Sequence, residues 1–150
     1  MPDDVVISGR ADGGCGDATT ATCALPLYAA TVQAGFPSPA DDYLEGALDL
    51  NEHLILRPAA TFFLRVTGCS MTGAGIHSGD LLIVDRSPAP GDGDIVIAVI
   101  DGELTVKRLE RRQGRIRLLA ENPRYRPIDI NAGQDLHIWG VVIHAIHSFV

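Results

Sequence analysis

The sequence predicts a mainly β fold of twisted antiparallel sheets, with one or two short helices and an extended N-terminal arm. Three observations carry that prediction. Beyond Pro58, apolar and β-branched residues gather into at least six short runs, the length and period of strands. Asp101-Gly102 separates two of these runs, and that dipeptide readily supplies the positive φ angles of a two-residue hairpin turn. Before Leu25 the chain shows no apolar periodicity.

Residues 1–24 are rich in Gly, Ala, Asp and Thr, with Asp3, Asp4, Asp12 and Asp17 against Arg10. Such a segment buries too little apolar surface to fold alone. From Leu25 to Pro39 apolar side chains return, but Pro26, Gly35, Pro37 and Pro39 block a long helix, so an extended arm is expected there. Asp49-Leu50-Asn51-Glu52 has capping-box spacing, which predicts a short helix over about residues 50–57, ended by Pro58. Strands are expected at 61–66, 81–84, 94–100, 104–109, 116–119 and 138–146, with residues 94–109 forming one hairpin.

Bulk properties narrow the function. A chain of 150 residues accommodates one ordinary domain with its own core. A formal net charge of -7 opposes gripping nucleic acid by overall electrostatics, so a link to DNA should be indirect, with no direct sequence-specific binding. No apolar run approaches the roughly 20 residues of a membrane-spanning helix, and the N-terminus lacks a basic start and a long apolar stretch; the chain reads as cytoplasmic, without a membrane partner. Cys15, Cys23 and Cys69 are odd in number and form no CxxC pair, which points to reduced thiols rather than disulfides or zinc. His144 and His147 would share a face on a helix, but in a strand they point apart. Gly73-x-Gly75 lacks the third glycine and the strand-helix context of a phosphate loop. No metal or cofactor is expected.

Two places look chemically unusual. Gly68-Cys69-Ser70-Met71 follows a strand, and Gly73, Gly75 and Gly79 come soon after, so the backbone can turn sharply and present Ser70; a plain turn has the same composition. Cys69 beside it is expected to be a small, semi-buried residue rather than a catalytic thiol. The second place is Lys107, the single lysine in a chain with eleven arginines. Arginine does not lose its proton in a protein, whereas burial drives lysine toward the neutral amine, so only lysine can serve as a base. An edge-strand lysine that discourages aggregation is the alternative. Taken together, a serine and a lysine match a known variant of the serine-histidine logic. Arg108, Arg111, Arg112, Arg115, Arg117, Arg124 and Arg126 also concentrate charge around a turn, most simply a solvated one.

The chain resembles the LexA/UmuD family of self-cleaving serine-lysine proteases, and most closely its UmuD branch, the accessory subunits of translesion DNA polymerases. The resemblance runs from about Leu25 to the C-terminus through Val32-Gln33-Ala34-Gly35-Phe36-Pro37-Ser38-Pro39-Ala40, Gly68-Cys69-Ser70-Met71, Gly79-Asp80-Leu81-Leu82-Ile83-Val84-Asp85, Gly93-Asp94-Ile95-Val96-Ile97-Ala98, Asp101-Gly102-Glu103-Leu104-Thr105-Val106-Lys107 and Trp139-Gly140-Val141-Val142-Ile143. It implies Ser70 as nucleophile, Lys107 as general base, the Ala34–Gly35 bond as the cleavage site, and the backbone N–H groups of Cys69 and Ser70 as the oxyanion hole. The implied domains are an arm, 1–34, removed by self-cleavage, and a protease-like β domain, 35–150. The implied role is an SOS-response protein whose trimmed form is a homodimeric accessory subunit of an UmuC-like Y-family DNA polymerase, with the RecA filament on single-stranded DNA as activator. The alternatives are a LexA-like or phage-repressor-type autoprotease in a regulatory role, and a signal-peptidase relative, which should carry a membrane anchor. Residues 1–24 depart from the family pattern and are too few and too polar for a helix-turn-helix domain.

Overall fold

The computed structural model describes residues 22–29, 31–36 and 44–150. The expectations for residues 1–21 and for Pro37 and Pro39 lie outside the described residues. The chain divides into two compact units, one spanning Ala11–Leu56 and one built on Arg57–Val150.

In the first unit, strand β1 (Ala24–Tyr28) pairs antiparallel with β2 (Leu44–Asp49), Ala24 opposite Asp49. The sequence predicts extended chain at β1 but not β2. The reason is visible in Leu44-Glu45-Gly46-Ala47-Leu48-Asp49: it is short of β-branched and aromatic residues and largely exposed, so its partner strand, not its own propensity, makes it a strand. Helix α1 (Leu50–Leu54) follows, and the Asp49 carboxylate accepts the Asn51 amide at 2.9 Å, which satisfies one of the otherwise unpaired N-terminal amides. The helix is three residues shorter than predicted, because Ile55 is already extended (φ -114°, ψ 91°). Pro58 does not end α1. It opens a 3-10 turn, Pro58–Ala60, a first position that needs no amide hydrogen.

The second unit is one seven-stranded sheet: β3 (Thr61–Arg65), β4 (Leu81–Asp85), β5 (Ile95–Ile100), β6 (Glu103–Arg112), β7 (Arg115–Leu119), β8 (Ile128–Ile130) and β9 (Leu136–Ile146). Their spatial order is β3-β4-β9-β5-β6-β7-β8. Every pairing is antiparallel. All six predicted strands are present. The β5–β6 turn is at Asp101-Gly102, whose φ angles of 48° and 82° are both positive, so Ile100 faces Glu103 as the hairpin prediction requires. β8 went unpredicted, since three residues carry almost no pattern; β7 recruits it by pairing Leu118 with Ile128.

Alternation along the central strand explains the core. Ile97 belongs to a buried cluster with Leu64, Val66, Met71, Ile76, Leu82, Val84 and Val106. Its neighbours Val96 and Ala98 belong to a second cluster with Leu109, Leu118 and Val141. Successive strand residues face opposite ways, so apolar residues are needed on both sides of β5, and the run Ile95–Ile100 is continuously apolar. Burying each such side chain contributes about 1.5–3 kcal/mol. The polar end of β6 is held differently: Glu110 lies opposite Arg117 on β7, and their side chains pair at 2.5 Å. Arg108 likewise pairs with Glu121. Part of the arginine cluster therefore serves the sheet as well as solvent.

Candidate active site

Ser70 sits in the connection between β3 and β4. The base of that connection is closed by Val66 N–H to Asp80 C=O at 2.9 Å and Gly79 N–H to Val66 C=O at 2.7 Å. Its middle is anchored by Met71 and Ile76, 1% and 3% exposed, which enter the first core cluster. Between these anchors a 3-10 turn, Thr72–Ala74, ends at Gly75 in the left-handed region, φ 84°, where glycine carries no steric penalty. Gly73 is required for another reason. Its N–H donates to the Glu121 carbonyl at 2.7 Å, and a Cβ there would lie 2.5 Å from that same oxygen. The turn is thereby pressed against residues 121–122.

Lys107 reaches the same place from β6. Its Nζ lies 2.9 Å from Ser70 Oγ, 3.0 Å from Thr105 Oγ1 and 3.1 Å from the Val106 carbonyl oxygen. Ser70 and Lys107 are each only 5% exposed. Thr105 meets the amine because residues two apart in a strand project from the same face. The cleft holding these groups is lined by Val66, Thr67, Gly68, Met71, Ile76 and Val106.

The structure thus brings Ser70 and Lys107 within hydrogen-bond distance across 37 residues of sequence. Ala34 and Gly35 lie in a bend of the other unit and are exposed; a Cβ on Gly35 would meet nothing within 4 Å. Cys69 is an exposed free thiol rather than a semi-buried one, a correction that follows from Met71, not Cys69, taking the inward position of the turn. Its Sγ lies 3.4 Å from the Tyr125 hydroxyl. The Cys69 carbonyl accepts Asn122 Nδ2 at 2.8 Å and the Thr72 hydroxyl at 3.2 Å.

Sequence reasoning missed Thr105, Asn122 and Glu121. Thr105 was legible in principle as the same-face neighbour of the only lysine. The contacts of Glu121 and Asn122 join segments about 50 residues apart, as in Asn122 to Cys69, 53 residues earlier in the chain, and no local pattern marks them. Asp80 likewise carries no local signal beyond its place in a motif. It is 1% exposed, accepts the His77 amide at 2.8 Å, and lies 2.5 Å from His147 Nδ1. Burial opposes its charge, but the His77 amide and then His147 outweigh that penalty and hold the carboxyl below its ordinary range. At Asp85 the Ser87 hydroxyl and amide, against the effect of burial and with help from Arg57, do the same. Among the described residues no group of three or more His, Cys, Asp or Glu side chains is placed to hold a metal ion, and no helix is long and apolar enough to cross a membrane.

Residues 26–143 match the Peptidase S24-like family. The chain is 54% identical over 123 residues to Protein ImpA of Escherichia coli, covering 81% of this chain and 83% of ImpA. It is 44% identical over 123 residues to Protein MucA of Escherichia coli, covering 81% and 84%. With the LexA repressor of Dechloromonas aromatica the identity is 43% over 127 residues, covering 84% of this chain and 62% of the repressor. These matches uphold the resemblance to the LexA/UmuD family and its UmuD-like side, and at the level of the family they mean serine peptidase and autoprotease chemistry. The mainly β sheet carrying the Ser70 turn is the fold expected of such a domain, and the chain belongs to the Peptidase S24-like family.

Proposed function

We propose that this protein is an UmuD-like autoprotease of SOS mutagenesis that cuts its own backbone between Ala34 and Gly35. The observation that carries the reading is the buried pair itself, Lys107 Nζ 2.9 Å from Ser70 Oγ. A neutral lysine has two N–H donors and one lone pair. Thr105 Oγ1 and the Val106 carbonyl are placed to accept the two donors, which leaves the lone pair for the Ser70 hydroxyl proton.

In the proposed reaction Ser70 Oγ bonds to the Ala34 carbonyl carbon as its proton passes to Lys107. The C–N bond to Gly35 then breaks, and the Lys107 ammonium returns the proton to the departing amine. Water, deprotonated by the Lys107 amine, attacks the Ala34 ester carbonyl; the bond to Ser70 Oγ breaks, Lys107 returns the proton to Oγ, and Ala34 leaves as a carboxylate. The backbone N–H groups of Cys69 and Ser70 supply the oxyanion hole. Cleavage divides the chain into an arm, 1–34, and a domain, 35–150. Small side chains at the cut suit close approach of the backbone to the serine.

The trimmed form then acts as a homodimer that assists an UmuC-like Y-family polymerase. If the cleavable state is a minor fraction of the population, the observed rate falls by that fraction, so an activator need only favour it. The RecA filament on single-stranded DNA is the proposed activator, a role refuted if cleavage is no faster with filament than without. The central test is mass measurement of the full chain after incubation at alkaline pH. Wild type should gain an N-terminus at Gly35, while Ser70→Ala and Lys107→Ala should slow by at least about 100-fold. Trimming of Ser70→Ala at the wild-type rate would end the reading.

A further inference from the structure

Among the described residues, the Thr67 hydroxyl oxygen is the one buried side-chain polar atom without a hydrogen-bond partner. Its position is specific. Thr67 follows the end of β3 by two residues and lines the cleft that holds Ser70, Thr105 and Lys107. Polar groups that line the same cleft are engaged: Lys107 Nζ with Ser70, Thr105 and Val106, and the Gly68 amide with Ser78 Oγ. An unpaired buried hydroxyl is costly compared with a methyl of the same size, and such an orphan in a native protein calls for an explanation, a catalytic role among them.

We propose that Thr67 is a positioning residue for the peptide substrate. Its hydroxyl hydrogen-bonds a backbone peptide group beside the Ala34–Gly35 bond, whether of its own arm or of another copy, and so sets the scissile carbonyl against Ser70 Oγ. This inference rests on the self-cleavage reading above. The remaining wall of the cleft, Val66, Met71, Ile76 and Val106, has apolar side chains, so an occupant must bring its own polar groups. A peptide backbone does so through N–H and C=O at every residue, and small side chains at Ala34 and Gly35 leave those groups unobstructed. The hydroxyl is then unpaired in the resting protein and paired in the state that reacts, so its bond contributes to cleavage and not to resting stability.

The test compares full-length wild type, Thr67→Val, Thr67→Ser and Ser70→Ala for first-order trimming at alkaline pH and for melting temperature. Thr67→Val should melt about 2–4 °C higher yet cut about 5- to 10-fold more slowly. Thr67→Ser, which keeps the hydroxyl, should cut within about twofold of wild type. A packing role alone would not give opposite signs for stability and rate. Thr67→Val trimming at the wild-type rate while Ser70→Ala stays intact overturns this inference and leaves the protease reading standing. Thr67→Val melting lower than wild type also overturns it, since the hydroxyl would then have had a partner at rest. Trimming of Ser70→Ala at the wild-type rate removes both.

Discussion

Thr105 Oγ1 lies 3.0 Å from Lys107 Nζ, two residues along the same strand and on the same face. Lysine side chains carry many rotamers, and ordering one is entropically costly. The threonine and the Val106 carbonyl restrict where the amine can sit, so the Lys107 amine is aimed toward Ser70 by its own strand.

Replacing Thr105 by valine should therefore slow self-cleavage by about 3- to 10-fold, the loss of roughly one ordinary hydrogen bond, with the fold retained. Thr105→Ser should recover most of the rate. Trimming measured across a pH series checks the role: a positioning effect lowers the rate and is rescued by serine, whereas equal rates for Thr105→Val and wild type would show that the Val106 carbonyl suffices.

Crowding at the proposed cleavage bond should act on reaction and not on folding. A Cβ added at Gly35 would point into open space, so Gly35→Leu should leave the melting temperature unchanged within about 1 °C, because exposed substitutions are usually nearly neutral. Trimming should still fall by at least about 10-fold if backbone approach to Ser70 is what the small residue allows. Mass measurement of the released fragment decides it, and undiminished cutting would remove Ala34–Gly35 as the bond.

Acid should weaken the protein partly through Asp80. Its folded pKa lies below the ordinary value, so its contribution is present above the unfolded carboxylate range near about 4 and is lost as pH falls through the folded pKa. Asp80→Asn should melt below wild type at pH 7, and the gap should narrow as pH is lowered through and below about 4. Melting curves at several pH values check the sign. A gap that widens toward acid would contradict it.

Gly73→Ala should cost about 1–3 kcal/mol, the usual range for forcing an atom into a filled site, because the new Cβ would sit 2.5 Å from the Glu121 carbonyl oxygen. The same clash pushes the turn carrying Ser70 away from residues 121–122, so trimming should slow together with the loss of stability. Urea unfolding and mass measurement on one preparation test both effects. Gly75→Ala has open space and meets only the strain of its left-handed backbone, φ 84°, so it should be the milder of the two.

Much of the scaffold was legible in the linear chain. The runs that became β3, β4, β5, β6, β7 and β9 announced themselves through apolar and β-branched composition, and Asp101-Gly102 announced its turn through two positive φ angles. These are local preferences, and burial merely agrees with them. β2 and β8 escaped because each is short and takes its identity from a neighbour. Helix α1 is shorter than its sequence suggests because the Asp49 cap specifies where it starts and nothing comparably local specifies where it stops.

The candidate site divides along the same line. Residue type alone singled out Lys107, since no arginine can give up its proton, and the glycine-rich surroundings of Ser70 marked a turn. Their separation of 2.9 Å, the aiming of the amine by Thr105, the bracing of the turn by Glu121 and Asn122, and the unpaired oxygen of Thr67 all came from folding. Chemistry that belongs to a side chain is written in its identity, whereas distance, burial and missing partners arise only when strands remote in the chain are packed against one another.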